Sequence, residues 1–161
     1  MDSHASNKPV IVIDSREKRA WSFTPERIGG VVQKALPAGD YSLQGYEMQI
    51  AIERKSFADY IATIIHSRDR FTRELAILKS YPRAWIIVEG SFDDLLHGRY
   101  DSQVNPKSLS AITASLMVAY GIPVLFATDR ACACALAEEL LLQWYQRQEA
   151  KPNGNASRFT P

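Results

Sequence analysis

Two acidic residues and a lysine occupy positions that a folded chain could bring together for chemistry. Asp40 precedes a short apolar segment, while Glu53 and Lys55 follow the strand-like run at residues 49–52. Two carboxylates at one edge of a sheet repel each other unless a cation joins them. Oxygen ligands without a histidine or cysteine cluster favour Mg²⁺ or Mn²⁺ over zinc. Since such a metal activates water and a nearby lysine offsets charge on phosphorus, the pattern predicts phosphodiester hydrolysis.

A predicted β-hairpin sets the spacing of these three side chains. Its strands are expected at residues 41–43 and 48–53, joined by a short turn. With a loop of two or four residues, Asp40 and Glu53 are diagonal neighbours on one face, about 7–8 Å apart at the backbone. Lys55 shares that face because side chains alternate along a strand. A three-residue loop would reverse this parity and separate the group.

Each of these residues also has an ordinary structural explanation. Glu53 and Lys55 could be solvated charges where a strand meets a loop. Asp59 lies three residues after Ser56, which is the spacing of a capping box, so it could serve only to satisfy backbone donors. Gly39 could open space for a phosphate or could simply be a turn glycine. A carboxylate followed by Glu-x-Lys is a weak pattern on its own, because these residue types are common.

Alternating strands and helices are predicted around the hairpin. Further strands are expected at residues 10–13, 31–36, 85–88 and 123–127. Helices are expected to begin at the capping residues Ser56, Ser67, Asn105 and either Thr128 or Asp129. In the third helix, the predicted apolar stripe is Leu109, Ile112, Leu116 and Ala119. The pattern predicts an α/β domain with a central mixed β-sheet flanked by helices.

Length and composition place limits on the kind of protein. The chain has 161 residues, 46% hydrophobic content and a net charge of +1, which fits one globular domain without a global basic field. A nucleic-acid partner would therefore have to bind at local patches. No apolar run approaches the roughly 20 residues of a membrane helix, and no signal-peptide core is present. The sequence predicts a soluble intracellular protein, with no secretion and no membrane association.

Three linked blocks of the sequence resemble the nuclease domain of the XPF-type structure-specific endonucleases, within the restriction-enzyme-like PD-(D/E)xK superfamily. The first block is an apolar strand running into Asp14-Ser15-Arg16-Glu17. The second is Gly39-Asp40 followed by ERKSFAD at residues 53–59, and the third is Arg70-Phe71 with Glu74-Leu75. The resemblance implies a restriction-endonuclease-like fold over residues 9–149. The polar, turn-rich composition of residues 1–8 and 150–161 predicts flexible tails.

The resemblance also implies roles for individual residues. Asp40 and Glu53 would be metal ligands, with the backbone carbonyl of Arg54 as a third, and Lys55 would be the catalytic lysine. The supporting acids around the metal and its water would be Asp14, Glu17 and Asp59. The implied cofactor is Mg²⁺ or Mn²⁺.

Basic residues near the three blocks are candidates for contacts with DNA phosphates. These candidates are Arg16, Arg54, Arg68, Arg70 and Arg73. Any one of them could instead be a solvated surface charge, and Arg70 could pair with Glu74 at helical spacing. Trp21 and Phe23 could stack on an unpaired base or pack in the core.

The sequence therefore predicts a metal-dependent DNA endonuclease that acts on branched, flap or otherwise structured DNA during repair or recombination. A catalytically idle DNA-binding or partner subunit is one alternative, and an exonuclease or RNA-directed nuclease of the same superfamily is another. The family resemblance implies a homodimer or a heterodimer. Many family members carry a helix-hairpin-helix module after the nuclease domain, and only a short polar segment follows residue 148 here.

Overall fold

A computed structural model describes residues 8–151 of the chain. Within these residues, six strands form one sheet in the order β2-β1-β3-β4-β5-β6. The strands are β1 Val10–Asp14, β2 Gly30–Lys34, β3 Tyr41–Leu43, β4 Ile50–Ser56, β5 Arg83–Glu89 and β6 Val124–Phe126. The helices are α1 Phe57–His66, α2 Arg68–Lys79, α3 Phe92–Leu96, α4 Pro106–Tyr120 and α5 Arg130–Glu149.

The sheet is mixed, as the sequence predicts. Strand β3 is antiparallel to both of its neighbours, whereas β1 pairs with β2, and β4 with β5, in parallel. Strand β6 also runs parallel to β5. The carboxyl ends of β1, β4 and β5 therefore meet the start of β3 at one edge of the sheet, which is where α/β proteins place functional groups.

Helices cover both faces of the sheet and bury β4 between two apolar layers. On one face, Ala51 packs in a core with Phe71 and Leu75 of α2. On the other face, Ile50 and Ile52 pack in a core with residues of α5. Because both faces of β4 are covered, this strand reads as a continuous apolar run rather than an alternating one.

The hairpin loop is longer than predicted. Tyr41 pairs with Ile52, so residues 44–49 form a six-residue connection and Asp40 lies directly opposite Glu53 rather than diagonally from it. The physical reason is the packing of Tyr46, whose ring lies edge-to-face on Trp144 of α5, with 4.9 Å between ring centroids. Six is an even number, so the parity on which the shared face depends is preserved.

Other elements differ from prediction in detail. Helix α3 was not predicted, and α4 buries Leu109, Thr113 and Leu116 while leaving Ala119 exposed. Helix α5 begins after Asp129, whose side chain accepts a hydrogen bond from the Cys132 N–H. Apart from residues 8, 150 and 151, the predicted tails lie outside the described residues. Within residues 8–151, every helix is too short or too polar to cross a membrane.

Gly39 allows the strands beside the hairpin to approach closely. Its φ is +80°, and a Cβ atom there would lie 3.0 Å from the Cβ of Ala51 and 3.3 Å from the carbonyl oxygen of Ile52. The glycine is therefore explained by a backbone turn and close strand packing. Gly45 offers a comparison, because its φ is +85° and a Cβ there would meet nothing within 4 Å.

We expect Gly39→Ala to be more destabilising than Gly45→Ala. In both variants, the left-handed backbone conformation of an alanine would lower the free energy of unfolding by about 1–2 kcal/mol. In Gly39→Ala, steric overlap with Ala51 and Ile52 would lower it by roughly 1–2 kcal/mol more. Chemical unfolding of the two variants and the parent protein measures the difference. Equal losses would show that the close approach at Gly39 does not matter to the fold.

Candidate active site

The start of β3 and the end of β4 bring Asp40 and Glu53 together. The Asp40 N–H donates to the Ile52 carbonyl at 2.9 Å, and the Arg54 N–H donates to Asp40 Oδ2 at 2.8 Å. The backbone of β4 thus fixes the Asp40 carboxylate in place. Glu53 is only 4% exposed, although it is an acid. Two carboxylates are consequently held on adjacent strands at the same level of the sheet.

Lys55 is the counter-charge to this pair. Its Nζ lies 2.6 Å from Glu53 Oε1 and 5.3 Å from the centroid of the Phe71 ring. Burial alone would lower the pKa of Lys55, but the neighbouring carboxylates of Glu53, Glu74 and Asp40 raise it above its ordinary value. Lys55 is therefore an ammonium donor in this structure.

The carboxylates are electrostatically crowded. Burial is the main cause that raises the pKa of Asp40 to about 6, and the nearby carboxylates of Glu17 and Glu74 raise it further. The hydrogen bond from the Arg54 N–H and the charge of Lys55 act in the opposite direction. The pKa of Glu53 is raised well above its ordinary value, first by burial and then by Asp40, with a further contribution from Glu74. Such crowding favours binding of a cation.

Glu17 and Asp59, two of the predicted supporting acids, line the same cleft as Asp40, Glu53 and Lys55. Glu17 is held by the Arg19 N–H, which donates to its Oε1 at 2.7 Å. Asp59 is exposed, and its N–H donates to the hydroxyl of Ser56 at 3.1 Å as part of the α1 N-cap. The backbone N–H of Asp59 belongs to the helix cap, and the residue lines the cleft.

The structure corrects the expectation for Asp14. This residue is 2% exposed, and both of its carboxylate oxygens are occupied. Arg16 binds it through Nε at 2.8 Å and Nη2 at 2.9 Å, and the Leu36 N–H donates to Oδ2 at 2.7 Å. Burial opposes ionisation, but these hydrogen bonds lower the pKa of Asp14 overall. Asp14 ties β1 to its neighbouring loops and does not line the cleft.

The Arg54 side chain is also placed differently from the prediction. It points away from Glu53 and Lys55, is 11% exposed, and makes a bidentate ion pair with Glu89 at 2.7 and 2.9 Å. Its Nη1 lies 3.4 Å from Glu17. The guanidinium of Arg54 is therefore engaged inside the protein and is not presented at the surface as the predicted contact with DNA would require.

The other four arginines predicted to contact DNA are exposed: Arg16, Arg68, Arg70 and Arg73. Arg16 remains paired with Asp14, whereas the other three make no ion pair within residues 8–151. Arg70 borders the cleft, and within residues 8–151 it does not form the alternative ion pair with Glu74. Trp21 packs in the core instead of being available to stack on a base: it is 3% exposed and its ring stacks on Tyr41 at 4.5 Å.

Two residues beyond the predicted site belong to its surroundings. Glu74 of α2 lies within hydrogen-bonding reach of Glu53, and the Arg70-Phe71 and Glu74-Leu75 block pointed to it. Glu89 accepts from Arg54, from Trp21 Nε1 at 2.7 Å and from Arg130 at 3.2 Å. Its position as a charge at the end of an apolar strand is the same signal that singled out Glu53.

The cluster offers oxygen ligands suited to a divalent metal. Within residues 8–151, no three acidic, histidine or cysteine side chains are grouped closely enough to bind a metal by themselves. Asp40 and Glu53 supply two carboxylates, so a further protein oxygen would have to come from the backbone. The Arg54 N–H points at Asp40, and in a strand the carbonyl of a residue faces the same edge as its N–H.

Comparisons with known proteins agree with this architecture. A family model, the ERCC4 domain, matches residues 13–140. XPF from Aeropyrum pernix is 28% identical with a TM-score of 0.66, covering 93% of this chain and 67% of that chain. XPF from Aeropyrum pernix in complex with DNA is 29% identical with a TM-score of 0.63, covering 91% and 69%. No curated protein sequence matched the chain.

The mixed sheet, its flanking helices and the carboxylate–lysine cluster define an α/β nuclease fold. The chain belongs to the ERCC4 domain family, and the resemblance to XPF-type nuclease domains that the sequence motifs indicate is confirmed. This relationship supports a DNA nuclease connected with DNA repair.

We expect Glu89→Gln to destabilise the protein by about 3 kcal/mol, because the largely buried Arg54 loses its bidentate ion pair and keeps only the longer contact with Glu17 at 3.4 Å. Burial opposes ionisation of Glu89, but Arg54 and Trp21 lower its pKa overall. The stabilisation from the Arg54–Glu89 ion pair is therefore present at neutral pH. It is lost as the pH falls through the lowered pKa of Glu89, which lies below the ordinary glutamate value of about 4. Chemical unfolding across this pH range measures it.

Asp94→Asn is the control for this experiment. It removes an exposed ion pair with Arg99, and such pairs contribute about 0–1 kcal/mol. Equal stability losses in the two variants at neutral pH would contradict the assigned role of Glu89.

Proposed function

We propose that the protein is a Mg²⁺- or Mn²⁺-dependent DNA endonuclease that hydrolyses phosphodiester bonds in branched, flap or otherwise structured DNA. The observation that carries this proposal is the placement of Asp40, Glu53 and Lys55 on one face at the end of a buried strand. Repair or recombination is the process proposed, in keeping with the intracellular location that the sequence predicts.

Asp40, Glu53 and the Arg54 carbonyl are the proposed metal ligands. A bound divalent cation would polarise a phosphoryl oxygen and lower the pKa of a coordinated water. The electrostatics of the carboxylates support this assignment, since burial raises the pKa values of both acids and neighbouring carboxylates add to each rise. A cation would relieve that repulsion.

Lys55 acts as a hydrogen-bond donor and a positive charge in the proposed reaction. Its ammonium lies against Glu53, so it is within reach of a water or a phosphate oxygen beside the carboxylates. From there it orients the attacking water and stabilises the negative charge that builds up on phosphorus. Contact with the Phe71 ring and the buried stem of the side chain hold Lys55 in this direction.

Acids at the mouth of the cleft position water. Glu17 and Asp59 line the cleft, and Glu74 approaches Glu53 from α2. Their carboxylates accept hydrogen bonds from water but offer nothing to phosphate, so they favour solvent over the DNA backbone at this point. Glu17 also contacts Arg54, which ties the loop after β1 to β4.

Exposed cations beside the cleft supply the DNA-binding surface. Arg68, Arg70 and Arg73 project from the start of α2, and Lys18 and Arg19 border the cleft from the loop after β1. These side chains match a polyanionic backbone without reading its sequence. The matched XPF structure in complex with DNA gives independent support for DNA as the substrate.

The predicted dimer is part of the proposal. The core face of α4 carries Leu109 and Leu116, which are buried within the domain. The opposite face leaves Val118 87% exposed, and this face is where we infer pairing with a second copy or a related subunit.

We expect Asp40→Ala, Glu53→Ala and Lys55→Ala each to reduce cleavage at least about 100-fold while the protein stays folded. The measurement uses labelled linear duplex, single-stranded, 3′ flap and fork DNA with Mg²⁺, Mn²⁺ or EDTA. Asp101→Ala, which removes an exposed acid far from the cleft in sequence, is the control and should cleave like the parent.

Full cleavage by Glu53→Ala would refute the assignment of the site. A closed circular DNA distinguishes an endonuclease from a strict exonuclease, because an exonuclease has no DNA end to attack on a closed circle. A folded parent protein that binds these DNAs and cuts none of them would favour the idle-subunit alternative.

A further inference from the structure

A second cationic surface lies at the end of the sheet remote from the candidate active site. The start of β5 and the last turns of α5 enclose a groove of about 750 Å³. Its cations are Arg83, Arg147 and Lys151, and its apolar wall is formed by Pro82, Trp85 and Trp144. We call this feature the cationic groove.

Charge in the cationic groove has one sign. No acidic residue of the described chain lines it. Arg83 donates to the Pro82 carbonyl at 2.7 Å and Lys151 to the Gln148 side chain at 2.6 Å, and neither these two nor Arg147 forms an ion pair within residues 8–151. The charge of the groove therefore favours an anionic ligand.

Local helix electrostatics account for only part of this arrangement. Arg147 and Lys151 lie four residues apart, so they repel each other, although the negative end of the α5 dipole offsets this cost. Arg83 comes from β5, a separate element, and the dipole of α5 does not explain its presence. Three cations from two elements thus converge on one groove.

The wall of the groove suits an unpaired base. Trp85 is half-buried and lines the groove, so it is the ring that a base can reach, whereas Trp144 is buried and held edge-to-face by Tyr46 at 4.9 Å. Aromatic rings stack on bases of any sequence, and cations beside them hold the phosphates. A duplex keeps its bases stacked inside, so a single strand is the form of nucleic acid that uses both features.

We propose that the cationic groove binds a single-stranded arm of the DNA substrate. This inference rests on the proposed function, and it adds a site that the cleft residues do not include. The groove lies on the α5 face at the amino end of β5, whereas Glu53 and Lys55 lie on the α2 face at the carboxyl end of β4. Ile50 of β4 pairs with Arg83, and Glu53 and Lys55 lie three and five residues farther along the strand, about 10 and 17 Å from the level of Arg83.

Salt-dependent binding of a fluorescent oligothymidine to the full chain in EDTA tests the proposal. For the variant Arg83→Gln/Arg147→Gln/Lys151→Gln, we expect binding at least about tenfold weaker at roughly 0.1 M salt. The slope of log affinity against log salt should fall by about 2, or about 0.7 for each lost phosphate contact. The control is Lys107→Gln, which removes an exposed lysine of α4. It should change the affinity and the salt slope by no more than the loss of one phosphate contact would.

Photocrosslinking locates the bound strand. An oligonucleotide carrying 5-bromodeoxyuridine should crosslink to the peptide containing Trp85, and Trp85→Leu should lose this crosslink while retaining the salt slope. Thermal unfolding of each variant checks that the fold is intact.

Three outcomes would overturn the inference. An unchanged salt slope in the triple variant is one, and crosslinks confined to the surface of Arg68, Arg70 and Arg73 are another. Displacement of the oligonucleotide at lower concentration by polyglutamate than by unlabelled oligothymidine is the third, since it would assign the groove to an acidic peptide. Each leaves the cleavage assay of the cleft variants unaffected, so failure of the groove is distinguishable from failure of the nuclease.

Discussion

Electrostatic conflict between the half-buried Asp40 and the buried Glu53 is the constraint on which the site depends. Asp40 and Glu53 face each other in surroundings that disfavour negative charge, and Lys55 compensates only one of them directly. A flexible strand would let the acids move apart into water. Strand β4 cannot do so, because apolar layers cover both of its faces. Packing of the core therefore maintains a cluster that is unfavourable by itself and favourable for a cation.

Alternation along β4 lets three consecutive charged residues serve two purposes. Glu53 and Lys55 point toward α2 and form the cluster. Arg54 points toward α5, where Glu89 binds it in a bidentate pair and Trp21 lies beneath it at 6.0 Å. Glu89 also accepts a hydrogen bond from Trp21 and one from Arg130, and Arg130 in turn donates to the carbonyls of residues 19 and 20. The loop that carries Glu17 is thereby fixed against the same strand that carries Glu53 and Lys55.

Apart from helix α3, local patterns were sufficient to predict the elements of the fold, and they also predicted the shared face of Asp40, Glu53 and Lys55. Strand periodicity is a short-range property, and an even loop length preserves parity even when the loop is longer than expected. The partners of Asp14 and Arg54 were not predictable in this way. Asp14 meets the Leu36 N–H and Arg54 meets Glu89, contacts across 22 and 35 residues that depend on how the whole sheet assembles.

The same limit applies to aromatic residues. Trp21 follows a basic segment, and the sequence alone left both base stacking and core packing open. Its ring stacks on Tyr41 while its backbone N–H donates to the Tyr41 hydroxyl at 2.8 Å, which assigns it to the core. Trp85 was read only as part of a strand. Its partial exposure beside Arg83 results from the position of α5, which no local pattern specifies.

The placement of the cleft and the cationic groove bears on the kind of DNA that the protein would select. They lie at opposite ends and on opposite faces of the sheet, so a straight duplex that contacts the cleft runs past the domain without entering the groove. A branched or flapped molecule differs, because its unpaired arm is flexible enough to pass around the domain while the junction stays at the cleft. In the proposed mechanism, preference for branched DNA thus follows from the separation of two binding surfaces, without base-specific contacts at either one.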